Sequence, residues 1–556
     1  MQRIRRGFVT VNGRQVHYRT AGSGPPVVLV HQSPISSKSL EMQTAAYGEH
    51  FTAIAVDIPG LGLSEPLPCR APTAEDFAIG LAETLDALGI ERTALFGSHT
   101  GATICVEFAR RFPERTVQVL IDGYPIYTPG EQARRLATYF DWVGPRWDGG
   151  HLLWLWARFR EQYLFYPWNA PGRGTRADCD VPSVEFIHDG AVDLLTAGPD
   201  YTRVYSAAYT YDAPQRIREV TVPVRFLVYR DDSLARAHAL LEGLPSCCEI
   251  VPMPDDRNVG VGKEIEMLRS APSPGAAPRL PDTVTQPRGV TRRYLDVDGR
   301  QLMLFEVGSN EDRPIVVLPP APGSATLMLN RLSLLARNRR VLAIDLPSCG
   351  GSDRFASHER SVEALTDPVE AALTQIGIGK DVDLYGVNGG ALAALELLRR
   401  GTGNKAAAEG VPYFADIAAP DLERYAPPIE LQADGTHWIK LWHAVRSEQL
   451  FWPWYDQRES GIRAIDPLLN PARLTEKVLA YMRQPQTYAS VYRAVLGRPS
   501  SETAAAVSDK VTLMAGEDDV FARTTESLAN DTGRPFVGLT RSESENIAAI
   551  EKALQP

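Results

Sequence analysis

His99 stands in Gly97-Ser98-His99-Thr100-Gly101-Ala102, after the apolar run Thr93-Ala94-Leu95-Phe96, which reads as a buried strand. An amphipathic stretch, Ile104 to Arg111, follows and stops before Pro113, as a helix would. An imidazole fixed between a strand and a helix suits general acid or base work near neutral pH, where its charge changes most readily. His31-Gln32-Ser33-Pro34, after a second buried run from Val27 to Val30, adds another imidazole and two more polar side chains. Further on, His151, Trp154 and Arg158 recur at i, i+3 and i+7, one face of a helix. Placed over His99, that face would let Arg158 clamp a substrate carboxylate; turned outward, Arg158 and Arg160 would pair with Glu161.

The elements that must position these residues occur twice. Val9-Thr10-Val11-Asn12-Gly13-Arg14-Gln15 returns as Leu295-Asp296-Val297-Asp298-Gly299-Arg300-Gln301, and Ala55-Val56-Asp57-Ile58-Pro59 returns as Ala343-Ile344-Asp345-Leu346-Pro347. Asp148-Gly149-Gly150-His151 matches Asp434-Gly435-Thr436-His437, and Phe165-Tyr166-Pro167-Trp168 matches Phe451-Trp452-Pro453-Trp454. A near-constant offset over such a distance indicates duplication. Each copy reads as a β-hairpin followed by alternating strands and helices, the pattern of a mostly parallel sheet in an α/β fold. The first domain is expected over 1–268 and the second over 289–556, joined by a Pro- and Ala-rich linker at 269–288. A helical cap is expected within each, at about 126–216 and 415–498.

Composition narrows the function classes. The chain has 556 residues, 44% hydrophobic and 23% charged, enough apolar material for two cores. Its net charge of −10 is spread along the chain without basic clusters, which argues against nucleic acid as a partner. No apolar run approaches the ~20 residues that span a bilayer, and the N-terminus lacks a signal-peptide core, so a soluble, cytoplasmic protein is expected. The six cysteines follow no metal or disulfide spacing, and the glycine runs fit no dinucleotide fingerprint, so neither cofactor nor metal is expected.

Gly97 to Ala102 and Gly386-Val387-Asn388-Gly389-Gly390-Ala391 resemble the nucleophile elbow of α/β-hydrolases, where small residues two before and two after the centre permit a strained strand-to-helix turn. The central residue is His99 in one copy and Asn388 in the other. Ser98 lies one place early, flanked at those positions by Phe96 and Thr100, and reads as structural. The whole chain resembles a tandem pair from the α/β-hydrolase superfamily, and copy one resembles a subgroup with a His-Gln-Ser/Thr-Pro turn and a Ser-His-Thr-Gly-Ala elbow. The resemblance implies that His31-Gln32-Ser33-Pro34 supplies oxyanion-hole donors and that Asp232 and Asp519 hold the acid's position. Pro319-Pro320-Ala321-Pro322 lacks several of those donors. The superfamily's base histidine should follow the last strand, but Ile250 to Arg257 leads to Asn258, and the segment near Ser544 offers none. A Ser-His-Asp triad therefore cannot be assembled.

Three readings remain at this level. In the first, His99 leans into the space left by Asn258, pairs with Asp232 and acts as general acid or base, with His31, Thr100 and backbone donors binding a carbonyl or oxyanion; the reaction is a hydrolysis or a lyase step. In the second, the protein is a pseudo-hydrolase that binds a ligand or serves as a scaffold. In the third, hydrolysis runs through a covalent step at His99 or Ser98. Copy two is expected to be non-catalytic, and the two domains to form an intramolecular pseudo-dimer. The aromatic cap of copy one, rich in Trp and Tyr, points to a hydrophobic or aromatic small molecule.

Overall fold

The computed structural model describes residues 2–234, 241, 243–281, 289–309, 313–354 and 361–555. The chain divides into two compact units, Met1–Gly144 with Trp154–Arg288, and Pro145–Leu153 with Gly289–Pro556.

The first unit is built on eight strands: β1 (Arg5–Val11), β2 (Arg14–Ala21), β3 (Pro26–Val30), β4 (Thr52–Val56), β5 (Thr93–Ser98), β6 (Thr116–Asp122), β7 (Val224–Val228) and β8 (Cys248–Pro252). They lie in the order β1-β2-β4-β3-β5-β6-β7-β8. The β1–β2 hairpin and its junction with β4 are antiparallel, and every later pairing is parallel. Asn12 and Gly13, at φ 51° and 81°, make the two-residue hairpin turn that their side chains favour. Strands β3 to β6 are buried at every residue, which requires helices on both faces of the sheet.

The second unit repeats this plan with β9 (Thr291–Val297), β10 (Arg300–Val307), β11 (Ile315–Leu318), β12 (Val341–Ile344), β13 (Asp383–Val387), β14 (Ala406–Glu409), β15 (Val511–Gly516) and β16 (Phe536–Leu539). Its strand order is the same, β9-β10-β12-β11-β13-β14-β15-β16. Asp298 and Gly299 turn its hairpin at φ 47° and 74°.

Two sequence expectations shift at their edges. The elbow helix begins at Thr100 rather than Ile104, and the helix Arg257–Ser270 runs two residues into the stretch expected to be linker. The end of the linker, residues 282–288, lies outside the described residues. Between β6 and β7 the chain forms the helices Pro129–Thr138, Gly150–Glu161, Val184–Ala197, Tyr201–Tyr209 and Ala213–Ile217, and the matching insertion of the second unit falls between β14 and β15. Among the described residues, no helix is long and apolar enough to cross a membrane.

Buried carboxylates pin the turns beside the site. Asp57, after β4, accepts hydrogen bonds at 2.8 Å from the Ser37 and Leu63 amides and pairs with His17 Nδ1 at 2.8 Å. Burial opposes its ionisation, but His17 and Arg19 outweigh burial and hold it below its ordinary range. Asp345 repeats the amide contacts, to Ala325 at 2.7 Å and Gly351 at 2.9 Å. Met303 stands where the first unit has His17, and burial pushes Asp345 up to about 6.

Candidate active site

β5 runs into the elbow with His99 at φ 48° and ψ −107°, a conformation that costs a non-glycine residue about 1–3 kcal/mol. Its neighbours make the turn feasible. A Cβ on Gly97 would lie 2.8 Å from Ala102 Cα, and one on Gly101 would collide with the Val30 carbonyl. The His99 amide donates to the Asp122 carbonyl at 3.0 Å, tying the elbow to the end of β6. The helix Thr100–Arg111 starts here, so its first N–H groups point toward whatever lies before His99.

The His99 ring reaches the acid loop after β7. Its Nε2 is 3.1 Å from Asp232 Oδ1, which also accepts from the Leu234 amide at 3.0 Å. Gly123, at φ 74°, makes room for this pair, because a Cβ there would lie 2.6 Å from His99 Nε2 and 2.9 Å from Asp232 Oδ2. Burial pulls the imidazole down, but the carboxylates of Asp232 and Asp122 outweigh burial and raise His99 above its ordinary value. With Nε2–H directed at Asp232, Nδ1 is the nitrogen left to take a proton.

Beside the pair, Asp122 Oδ2 accepts from Arg257 Nη1 at 2.8 Å. Arg257 also donates to Asp231 at 2.9 Å and lies 3.7 Å from the centre of the Tyr229 ring. His99, Asp122, Asp231, Asp232 and Arg257 line a cavity of about 1090 Å³, together with Gln32, Ser33, Ser98 and Thr100. Its roof is phenolic: Tyr127, Tyr163, Tyr166, Tyr205 and Tyr209 face it. Tyr205 Oη donates to the Ser33 carbonyl at 2.8 Å, so the cap rests on the turn after β3.

The structure brings His99, Asp232, Gln32, Ser33, Ser98 and Thr100 together and leaves the other sequence candidates out. His31 does not line the cavity. It is fully buried, with Nδ1 2.8 Å from the Gln32 carbonyl and Nε2 accepting from the Ile58 amide at 2.9 Å, so both nitrogens serve the backbone. His151 falls in the segment Pro145–Leu153, which groups with the second unit; its Nε2 lies 2.9 Å from Thr475 Oγ1 and its ring packs edge-on against Trp442. Trp154 packs against Trp142, at 6.2 Å between ring centres. Arg158 is neither a clamp nor a surface pair: it is buried inside the cap, between the rings of Tyr139 and Trp168, and donates to Gln162 at 3.0 Å. Asn258 is exposed at the first turn of its helix, whereas Arg257 one place earlier reaches the site.

Sequence reasoning missed Asp122 and Arg257. The available signals were an acidic residue closing a buried strand and an arginine next to the expected histidine position. It also named the cap's tryptophans and tyrosines together, whereas the rings that face the cavity are mainly tyrosines; Trp147 is 71% exposed.

In the second unit Asn388, at φ 49°, takes the elbow and donates to Asp519 Oδ2 at 3.1 Å and to the Gly410 carbonyl at 3.2 Å. Its cap replaces Tyr166 with Trp452, which packs on Phe521 and Tyr425, and Gln162 with Glu448, a buried carboxylate paired with Lys477. Among the described residues, no group of three or more His, Cys, Asp or Glu is arranged to hold a metal ion.

Residues 25–165 match the family profile described as alpha/beta hydrolase fold. A soluble epoxide hydrolase of Corynebacterium sp. (strain C12) is 36% identical over 99 residues, 18% of this chain and 34% of that protein. A 2-hydroxy-6-oxononadienedioate/2-hydroxy-6-oxononatrienedioate hydrolase of Pseudomonas putida is 33% identical over 129 residues, 22% of this chain and 43% of that protein. The chain thus spans about a third to two-fifths of the length of the curated relatives it matches. Among solved structures, epoxide hydrolase A from Mycobacterium thermoresistibile is similar at 17% identity and a TM-score of 0.39, covering 49% of this chain and 100% of that one.

Proposed function

We propose that this chain, built of two α/β-hydrolase folds in tandem, is a cofactor-free enzyme in which the first unit acts on an aromatic small molecule and the second is non-catalytic. The observation that supports it is the His99 imidazole at the elbow, braced by Asp232 and opening on a tyrosine-roofed cavity. In this reading Nδ1 takes a proton from a water or from an acidic carbon of the substrate, the imidazolium is stabilised by Asp232, and the same proton returns to the leaving group or product. The Thr100 amide and neighbouring backbone donors meet the developing oxyanion. The reaction is a hydrolysis or a lyase step without a covalent serine intermediate. Asn388 cannot act as a base near neutral pH, which is why the second unit is assigned no catalytic part.

The test is a panel of aryl esters, aryl epoxides and aryl β-diketones, assayed with wild type, His99→Ala and Ser98→Ala. Conversion that falls about 10²- to 10⁴-fold with His99→Ala and survives Ser98→Ala supports the proposal. Conversion lost with Ser98→Ala alone would return the serine to the role of nucleophile. Saturable binding with no conversion by any form would make the protein a ligand binder on a hydrolase frame.

A further inference from the structure

Among the cavity-lining residues, Asp122 Oδ1, Ser33 Oγ and Gln43 Oε1 are buried without a hydrogen-bond partner among the described residues, and the first two flank the elbow and the turn after β3. Asp122 is 9% exposed and Ser33 6%. Native proteins rarely leave a buried polar atom unpaired, so such an atom on a cavity-lining residue calls for a partner. Neither Asp122 Oδ1 nor Ser33 Oγ is used by the His99–Asp232 pair, and both residues line the same cavity as His99.

Asp122 is not loosely placed. It closes β6, in register with Ser98, and its other oxygen is fixed by Arg257, itself held by Asp231 and the face of Tyr229. An ionised carboxylate oxygen can only accept, so its partner must donate. We infer that Asp122 Oδ1 is an acceptor subsite for a hydroxyl group of the substrate, with Ser33 Oγ meeting a second polar atom, and that the cavity takes a hydroxylated aromatic compound. The tyrosine roof supplies ring faces for its aromatic part. The inference rests on the reading that the cavity around His99 is the substrate site.

The experiment is calorimetric titration of the full chain with 2,4-dihydroxyacetophenone and with 2,4-difluoroacetophenone, which has nearly the same shape but no donor. Wild type is expected to bind the dihydroxy compound at least tenfold more tightly. In Asp122→Asn, Arg257 holds the amide oxygen and turns the NH₂ toward the cavity, so the preference is expected to fall below threefold. Arg158→Ala, at a residue of the cap that does not line the cavity, is expected to keep the preference. Wild type that does not discriminate between the probes, or a preference that survives Asp122→Asn in folded protein, overturns the inference. The readout is binding, so the subsite stands or falls independently of whether His99→Ala abolishes turnover.

Discussion

His99, which lines the cavity, meets Asp232 through Nε2 at 3.1 Å and so keeps Nδ1 as the nitrogen not engaged by the acid. In a Ser-His-Asp arrangement the carboxylate holds Nδ1 and leaves Nε2 to the nucleophile. Here the acid meets the opposite nitrogen because the ring projects from the elbow rather than from the loop after the last strand.

The raised His99 value fixes the pH dependence of any base-catalysed turnover. The basic form must be present, so kcat/KM should rise with pH through a midpoint above 6.5. Asp122→Asn removes a charge that raises His99 and should lower the midpoint; Arg257→Gln removes one that lowers it and should raise it. NMR titration of the His99 ring checks both shifts without a substrate. A midpoint that moves the same way in both variants would refute this electrostatic account.

Stability carries the same signature. The folded value of His99 lies above the unfolded one, so its stabilising contribution is complete below about 6.5 and is lost as pH rises through the folded value. His99→Gln should therefore lower Tm, relative to wild type, more at pH 5.5 than at pH 8.5. Thermal melts across that range measure it.

Gly123→Ala places a methyl group against His99 Nε2 and Asp232 Oδ2 at a positive φ. The backbone penalty should be about 1 kcal/mol or more, and turnover should fall at least tenfold because the pair is pushed apart. An active variant whose His99 titration is unchanged would show that the ring tolerates displacement.

Arg158→Ala separates a clamp from a packing element. Its guanidinium lies 4.4 Å from the Trp168 ring centre and 5.2 Å from that of Tyr139. Loss of these contacts should cost roughly 2–3 kcal/mol, while kcat/KM of the protein that remains folded should change less than threefold. Chemical denaturation and kinetics on the same preparation decide between the two roles.

In the second unit, burial raises Asp519 to about 6. A carboxyl that binds its proton more tightly when folded destabilises the protein progressively as pH climbs from about 4 to 6. Asp519→Asn should match wild type at pH 4 and exceed it by on the order of 1–2 kcal/mol at pH 7. Equal stability of the two at pH 7 would mean that Asn388 and the Phe521 amide already compensate the charge.

The sequence was informative where the determining forces act over a few residues. Gly97, His99 and Gly101 announce the elbow because the steric limits of that turn fall within one short stretch, and Asn12-Gly13 announces its hairpin for the same reason. Asp232 was placed by resemblance, from its position after a late buried strand. His31, by contrast, has polar partners that only the folded backbone supplies. Whether the face of His151 and Arg158 turns to the cavity or to other helices depends on packing between elements distant in the chain. Asp122 and Arg257 lie 135 residues apart and meet only because the end of β6 lies beside the start of the helix after β8.

An elbow tipped with an imidazole also governs how such a protein would be noticed. Organophosphorus reagents, which reveal hydrolases by phosphorylating an activated alcohol, find no hydroxyl at the tip of this turn. If His99 rather than Ser98 carries the chemistry, a proteome screened with them would pass over the chain, whereas diethyl pyrocarbonate, which acylates imidazoles, would label it.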